Sequence, residues 1–171
     1  NFDAPIISFD RSINEYTPSV SSDNYQGGVL AAKHLVEKGC KNLYFFSDIN
    51  LSGMHANLRY DGFKDILKEN NIEAKIYLAN PECFISMDYE KEIEQFFYEN
   101  KEVDGIFASN DIIATQIIAY CKKNNINVPK ELKVVGFDGI DLVRLVYPKI
   151  TTIRQPVEEN CRFAVEAILG I

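Results

Sequence analysis

Gly105-Ile-Phe-Ala-Ser-Asn-Asp111 decides how this chain is read. A short apolar run ends abruptly in three polar residues. Val134-Val-Gly-Phe-Asp138 repeats the arrangement further along, and Ile150-Thr-Thr-Ile-Arg-Gln-Pro156 follows it. An apolar run bounded by polar residues reads as a buried strand of a parallel sheet. Acidic residues at the C-terminal ends of such strands lie where an open parallel sheet takes its ligand. The pattern therefore points to a small polar molecule held at that edge.

Outward from this stretch, strand-like and helix-like segments alternate. Ile6 to Phe9 reads as a strand ending at Asp10-Arg11. Asp23 is placed to cap a helix running to about Lys38, with Gly39 as its stop and Gly28, Ala32, Leu35 and Val36 inward. Leu43 to Phe46 reads as a strand, and about Asn57 to Asn70 as a helix with Leu58, Phe63, Ile66 and Leu67 facing in. Lys75 to Leu78 is the next strand. The helix expected from about Met87 to Asn100 carries Tyr89, Ile93, Phe96 and Phe97. Asn110 or Asp111 caps a helix whose inward face is Ile113, Ala114, Ile117, Ile118 and Cys121. Lys133 to Phe137 closes the strand series. Thr151 to Arg154 reads as an extended connection, and Val157, Cys161, Ala164, Val165 and Ile168 as one more helical face. Spacings of roughly 30 residues suit βαβ units, and the expected fold is α/β, a three-layer doubly wound parallel sheet.

The 171 residues suffice for one domain of ordinary size. The balance is globular, with 46% hydrophobic and 25% charged residues. The formal charge of -7, without a Lys/Arg cluster, disfavours duplex binding by this chain itself. No apolar run is long enough to span a bilayer. Cys40, Cys83, Cys121 and Cys161 are widely spaced, which argues against zinc or iron-sulfur ligation. Cys121 and Cys161 are expected in the core, and a reducing, cytoplasmic setting fits best. The chain starts at Asn1 without Met and is read as a fragment or a processed product.

The candidate site residues are Asp10, His55, Arg59, Phe84, Asn110, Asp111 and Asp138. All but Arg59, which opens a helix, lie in loops after strands. A planar ring, one Arg fork and several carboxylates suit a polyhydroxyl ligand: the ring covers an apolar sugar face, and the charged groups pair with hydroxyls. Each has a plainer reading as well. Asn110 and Asp111 serve as helix caps, Asp138 before Gly139 as turn chemistry, Arg59 as a solvated residue paired to Asp61 or Asp65, and Phe84 as loop packing. An enzyme is poorly supported, because G-x-S-x-G, P-loop and H-E-x-x-H motifs are all lacking. Asp111 and Asp138 remain an acid/base alternative. No metal and no cofactor is expected.

Pro5-Ile-Ile-Ser-Phe-Asp-Arg11, Val20-Ser-Ser-Asp-Asn24, Arg59-Tyr-Asp-Gly-Phe63, Ser109-Asn-Asp111, Val128-Pro through Val134-Val-Gly-Phe-Asp138, and Thr151-Thr-Ile-Arg-Gln-Pro156 occur in the order found in LacI/GalR-family transcriptional repressors. The chain resembles the effector core of that family along its whole length. The resemblance implies a periplasmic-binding-protein-like fold of two α/β subdomains. Residues 24–154 would be the C-terminal subdomain, residues 1–23 a remnant of the N-terminal one, and residues 155–171 its returning helix. It further implies a homodimer in the full-length protein and operator DNA bound through a headpiece absent from this chain. The effector would bind between the subdomains, touching Asp10, Phe84, Asn110, Asp138 and Arg59. Gly53 and His55 occupy loop positions where relatives place ligand-touching side chains, though Gly53 offers none. Asn160-Cys161 departs from the Met-Gly or Leu-Gly usual after Gln-Pro. Asp10-Arg11 and Phe137-Asp-Gly139 resemble the sugar-responsive members, so a saccharide is favoured over a purine or nucleoside. A periplasmic-type sugar-binding protein of a transporter is the alternative. Apolar surface is expected to lie uncovered around residues 1–23 and 155–171.

Overall fold

A computed structural model describes residues 5–10, 13–48 and 56–170. In chain order the elements are β1 (Ser8–Phe9), β2 (Ser19–Val20), α1 (Asn24–Glu37), β3 (Leu43–Ser47), α2 (Ala56–Glu69), β4 (Lys75–Leu78), α3 (Glu82–Ser86) and α4 (Glu90–Glu99). There follow β5 (Gly105–Ala108), α5 (Asp111–Lys123), β6 (Lys133–Asp138), a 3-10 turn over Asp141–Arg144, β7 (Thr151–Arg154) and α6 (Val157–Leu169). Five strands form one parallel sheet in the order β4-β3-β5-β6-β7. All therefore point their C-terminal ends to one edge, and the expected α/β fold is present.

Strand periodicity sorts the core into two layers. In β3, Phe45 joins Leu35, Phe63, Phe107 and Phe137, against α1 and α2. Its neighbour Phe46 joins Phe96, Ile106, Ile117 and Val134, against α4 and α5. Ile106 and Phe107 in β5, and Val134 and Val135 in β6, divide between the same two layers. A sheet filled on both faces explains why these strands read as unbroken apolar runs.

α1 starts where expected, with Asp23 accepting from the Gln26 N–H at 2.8 Å, and stops at Gly39, whose φ is +83°. α1 and α2 touch backbone to backbone. A Cβ on Gly28 would lie 1.9 Å from the Arg59 carbonyl oxygen, and one on Gly62 2.1 Å from that of Tyr25. This close crossing places the first turn of α2 firmly against α1.

Four expectations need correction. Thr151–Arg154 is a strand, paired from Val135↔Thr151 to Asp138↔Arg154. It lies at the sheet edge and is half exposed, so it carries no continuous apolar signal. The helix expected over residues 87–100 begins only at Glu90, because Met87 adopts a left-handed φ of 55°. Gln116 holds that break, accepting from the Tyr89 N–H at 2.9 Å and donating to the Met87 carbonyl at 2.8 Å. Leu58 faces outward, and Arg59 takes the inward position beside it. Finally, Cys121 is buried but Cys161 is exposed.

β1 and β2 form a separate parallel pair, against which α6 lies. The expected face of α6 is uncovered: Val157 and Val165 are each 54% exposed, and only Asn160 of that helix is buried. Ile6, Ile13 and Tyr16 are exposed as well, as anticipated for both terminal stretches.

Candidate ligand-binding site

Arg59 is the fixed point of the sheet's carboxyl edge. It is only 7% exposed. Its Nε donates to Asn24 Oδ1 at 2.7 Å, and its Nη1 donates to the Ser109 carbonyl at 2.6 Å. Its guanidinium carbon lies 3.6 Å from the centroid of the Phe137 ring. Such a stack spends one face of the fork on an aromatic surface and leaves its edge for hydrogen bonds. The plainer reading of Arg59 as a solvated residue fails, and it is Lys64 that pairs with Asp61. Burial pulls the Arg59 pKa down, while the charges of Asp138 and Asp10 push it up.

Those two carboxylates end separate strands. Asp138 closes β6 with a φ of 111°, and Asp10 follows β1 with a φ of 64°. A non-glycine residue in this region carries strain of roughly 1–3 kcal/mol, a condition found where function demands a particular placement. Asp138 Oδ1 accepts from Gln155 Nε2 at 2.6 Å. Burial raises its pKa, Asp111 and Asp10 add to the rise, and Gln155 and Arg59 oppose it.

Gln155 carries this group into the connecting segments. Its Oε1 accepts from Ser22 Oγ at 2.7 Å. Asn160 Nδ2 donates to the same Ser22 Oγ at 3.0 Å, and Asn24 Nδ2 donates to the Ser22 carbonyl at 3.0 Å. One continuous network thus runs from Arg59 through both stretches that link β1–β2 and α6 to the five-stranded sheet.

Asp111 stands apart from the other candidates. It is fully buried. Its Oδ2 accepts from the Gly139 and Ile140 N–H groups at 2.7 and 2.9 Å, and its Oδ1 from Thr152 Oγ1 at 2.6 Å. Asp111 is expected from sequence to touch ligand; here both its oxygens are engaged in fixing the loop after β6 and the adjoining β7. Burial raises its pKa against those three hydrogen bonds. The same geometry leaves Asp111, one half of the acid/base alternative, without an exposed oxygen.

Asn110 caps α5, its Oδ1 accepting from the Ile113 N–H at 2.9 Å. The Tyr89 hydroxyl donates to Asp48 Oδ2. Burial and Asp48 together raise the Tyr89 pKa. Phe84, read as a loop residue, lies on α3 and is 44% exposed. His55 and Gly53 lie outside the described residues. Among the described residues no group of three His, Cys, Asp or Glu is placed to hold a metal ion, and no helix is long and apolar enough to cross a membrane.

Sequence reasoning missed Asp48, Tyr89, Asn24 and Gln155. Asp48 was detectable, because it follows the apolar run of β3 as Asp138 follows that of β6. Tyr89 was read only as part of a core stripe, which gives no sign of what its hydroxyl meets.

The family model for the periplasmic binding protein-like domain matches residues 32–171, so the chain belongs to that family. It is 37% identical over 167 residues to the sucrose operon repressor of Streptococcus mutans serotype c, covering 97% of this chain and 50% of that protein. It is 33% identical over 155 residues to the ribose operon repressor of Halalkalibacterium halodurans, covering 90% of this chain and 45% of that one. A solved periplasmic binding protein/LacI transcriptional regulator from Alkaliphilus metalliredigens, complexed with D-xylulofuranose, superposes with a TM-score of 0.79 at 30% identity. That match covers 99% of this chain and 64% of the other. The chain spans about half the length of the curated relatives it matches.

Proposed function

We propose that this chain is the effector-sensing core of a sugar-responsive transcriptional repressor of the LacI type. The observation that carries the reading is Arg59: a buried guanidinium clamped between Asn24, Ser109 and Phe137, with Asp138 and Asp10 acting on it at the carboxyl edge of the sheet. A buried fork with two carboxylates acting on it forms a set of donors and acceptors suited to sugar hydroxyls. Repressors of sucrose and ribose operons among the relatives support the same class.

In this reading residues 24–154 form one subdomain, and residues 1–23 and 155–171 belong to its neighbour. Asp10, Arg59, Phe84, Asn110 and Asp138 contact the effector. Asp111 positions the loop after β6. The effector binds one subdomain arrangement more tightly than the other and shifts the population between them. Gln155 transmits the change, since it holds Asp138 on one side and Ser22 on the other. The protein acts in the cytoplasm as a homodimer, binds operator DNA through a headpiece outside this chain, and catalyses no reaction.

The test is a thermal-shift panel of mono- and disaccharides and purines on the native gene product. Ligand at about 1,000 times its dissociation constant adds roughly 4 kcal/mol of stability. A shift with one sugar, lost in Asp138→Ala and reduced in Phe84→Ala, is expected. A purine that binds where no sugar does would overturn the reading.

A further inference from the structure

Four buried side-chain oxygens find no hydrogen-bond partner among the described residues: Asp48 Oδ1, Asn57 Oδ1, Ser109 Oγ and Thr115 Oγ1. Two of them stand together. Asp48 follows the last residue of β3 and Ser109 the last residue of β5, and these strands are hydrogen-bonded neighbours. The Ser109 N–H itself donates to the Phe46 carbonyl of β3 at 2.8 Å. Both oxygens therefore lie at the carboxyl edge. Asp48 is 3% exposed and Ser109 fully buried.

A buried oxygen without a donor is costly, and native proteins rarely leave one so. In Asp48 only Oδ2 is served, by Tyr89. The neighbouring Ser109 accepts from Arg59 at its carbonyl, which ties the pair to the candidate site. A structural role in anchoring Tyr89 uses one oxygen and leaves the other unexplained. A ligand hydroxyl would complete it with a charge-assisted bond, stronger than a neutral one.

The charge balance of the edge narrows the ligand further. Among the described residues of this edge, Asp10, Asp48 and Asp138 outnumber two cations: Arg59, whose Nε and Nη1 are bonded to Asn24 and Ser109, and Arg154 at the end of β7. A phosphate brought here would meet an excess of carboxylates, and like charges at close range repel. Resting on the proposed sugar-sensing function, we propose that Asp48 Oδ1 is a specificity-determining acceptor for one ligand hydroxyl, and that the effector is a neutral, unphosphorylated sugar.

The experiment is calorimetric binding to the native gene product. The probes are D-ribose, D-fructose, D-glucose, sucrose, the commercial monodeoxy forms of whichever sugar binds, and ribose 5-phosphate, fructose 6-phosphate and glucose 6-phosphate. One unphosphorylated sugar is expected to bind at least about 100-fold more tightly than the phosphates. Asp48→Asn, which keeps the side-chain volume, is expected to weaken that sugar at least about tenfold with unchanged melting temperature. One deoxy analogue is expected to bind wild type and variant alike, naming the hydroxyl that Asp48 reads. Tighter binding of a phosphate overturns the neutral-sugar assignment on the wild-type protein alone, without any variant. Unchanged sugar affinity in Asp48→Asn, or an equal loss for every deoxy analogue, overturns the role of Asp48 and leaves the sugar-sensing function standing. Binding of no sugar and no sugar phosphate by wild type overturns the function itself.

Discussion

Replacing Asp111 separates positioning from binding. Its carboxylate accepts three hydrogen bonds, at 2.7 and 2.9 Å from backbone N–H groups and 2.6 Å from Thr152. Hydrogen bonds to a charged group contribute about 1.5–3 kcal/mol each, so Asp111→Ala forfeits a gross amount of roughly 4–9 kcal/mol. Part of that returns, because the buried carboxylate no longer has to be stripped of water, a penalty of several kcal/mol. A net loss of about 3 kcal/mol remains. Asp111→Asn should behave differently. Its oxygen can accept from Gly139 and Ile140, and its amide can donate to Thr152 if that hydroxyl rotates. The expected loss is about 1 kcal/mol or less. In urea, with an m-value of about 2 kcal/mol/M, the alanine variant's midpoint falls by about 1.5 M and the asparagine variant's by under about 0.5 M.

The pH dependence supplies a second arm. Burial raises the Asp111 pKa above its ordinary 3.8. The folded protein then holds that proton more tightly than the unfolded chain does. Its contribution to stability is complete below 3.8 and declines as pH rises through the window above it. Asparagine does not titrate, so the deficit of Asp111→Asn should narrow as pH rises above 3.8. Equal destabilisation by alanine and asparagine would refute the hydrogen-bond account. Loss of sugar binding in a well-folded Asp111→Asn would return Asp111 to the contact set.

Two further outcomes follow from packing. Gly28→Ala places a Cβ 1.9 Å from the Arg59 carbonyl oxygen, so α1 and α2 must part. Urea titration should show a loss of about 1–3 kcal/mol, the usual range for overpacking, and sugar affinity should fall with it because Arg59 moves. Under native conditions a thiol reagent should modify Cys161, which is exposed, and leave Cys121 untouched. Cys121 is buried, and burial pushes its thiol up to about 12; mass mapping of the labelled peptides checks both.

The centre of the fold was legible because its inner strands, β3, β5 and β6, are filled on both faces. Leu43–Ser47, Lys75–Leu78, Gly105–Ala108 and Lys133–Asp138 emerged at or within one residue of their limits. Thr151–Arg154 did not: like β4 it is an edge strand without double burial, but Thr-Thr-Ile-Arg lacks the Ile-Tyr-Leu run that marks β4. Leu58 was misassigned because periodicity weighs hydrophobicity, and the inward position belongs to an Arg whose ring partner, Phe137, lies far along the chain. The site divided in the same way. Arg59 and Asp138 could be named from their places on α2 and at the end of β6, which parallel topology brings together; Asp10 ends β1, in the separate β1–β2 pair, and its effect on Arg59 is not given by the topology of the main sheet. That Asp111 is sealed beneath Gly139 and Thr152 depends on loop geometry, which residue type does not encode.

The backbone at Asp138, with φ at 111°, is one that glycine adopts more readily than any other residue. With Asp138 as the proposed effector contact, stability and ligand recognition ask for different residues at this position. A lineage released from the need to sense an effector would be free to drift there toward glycine, gaining stability as it lost its carboxylate. Position 138 in related chains is thus a marker of whether sensing persists, readable without any structure of them.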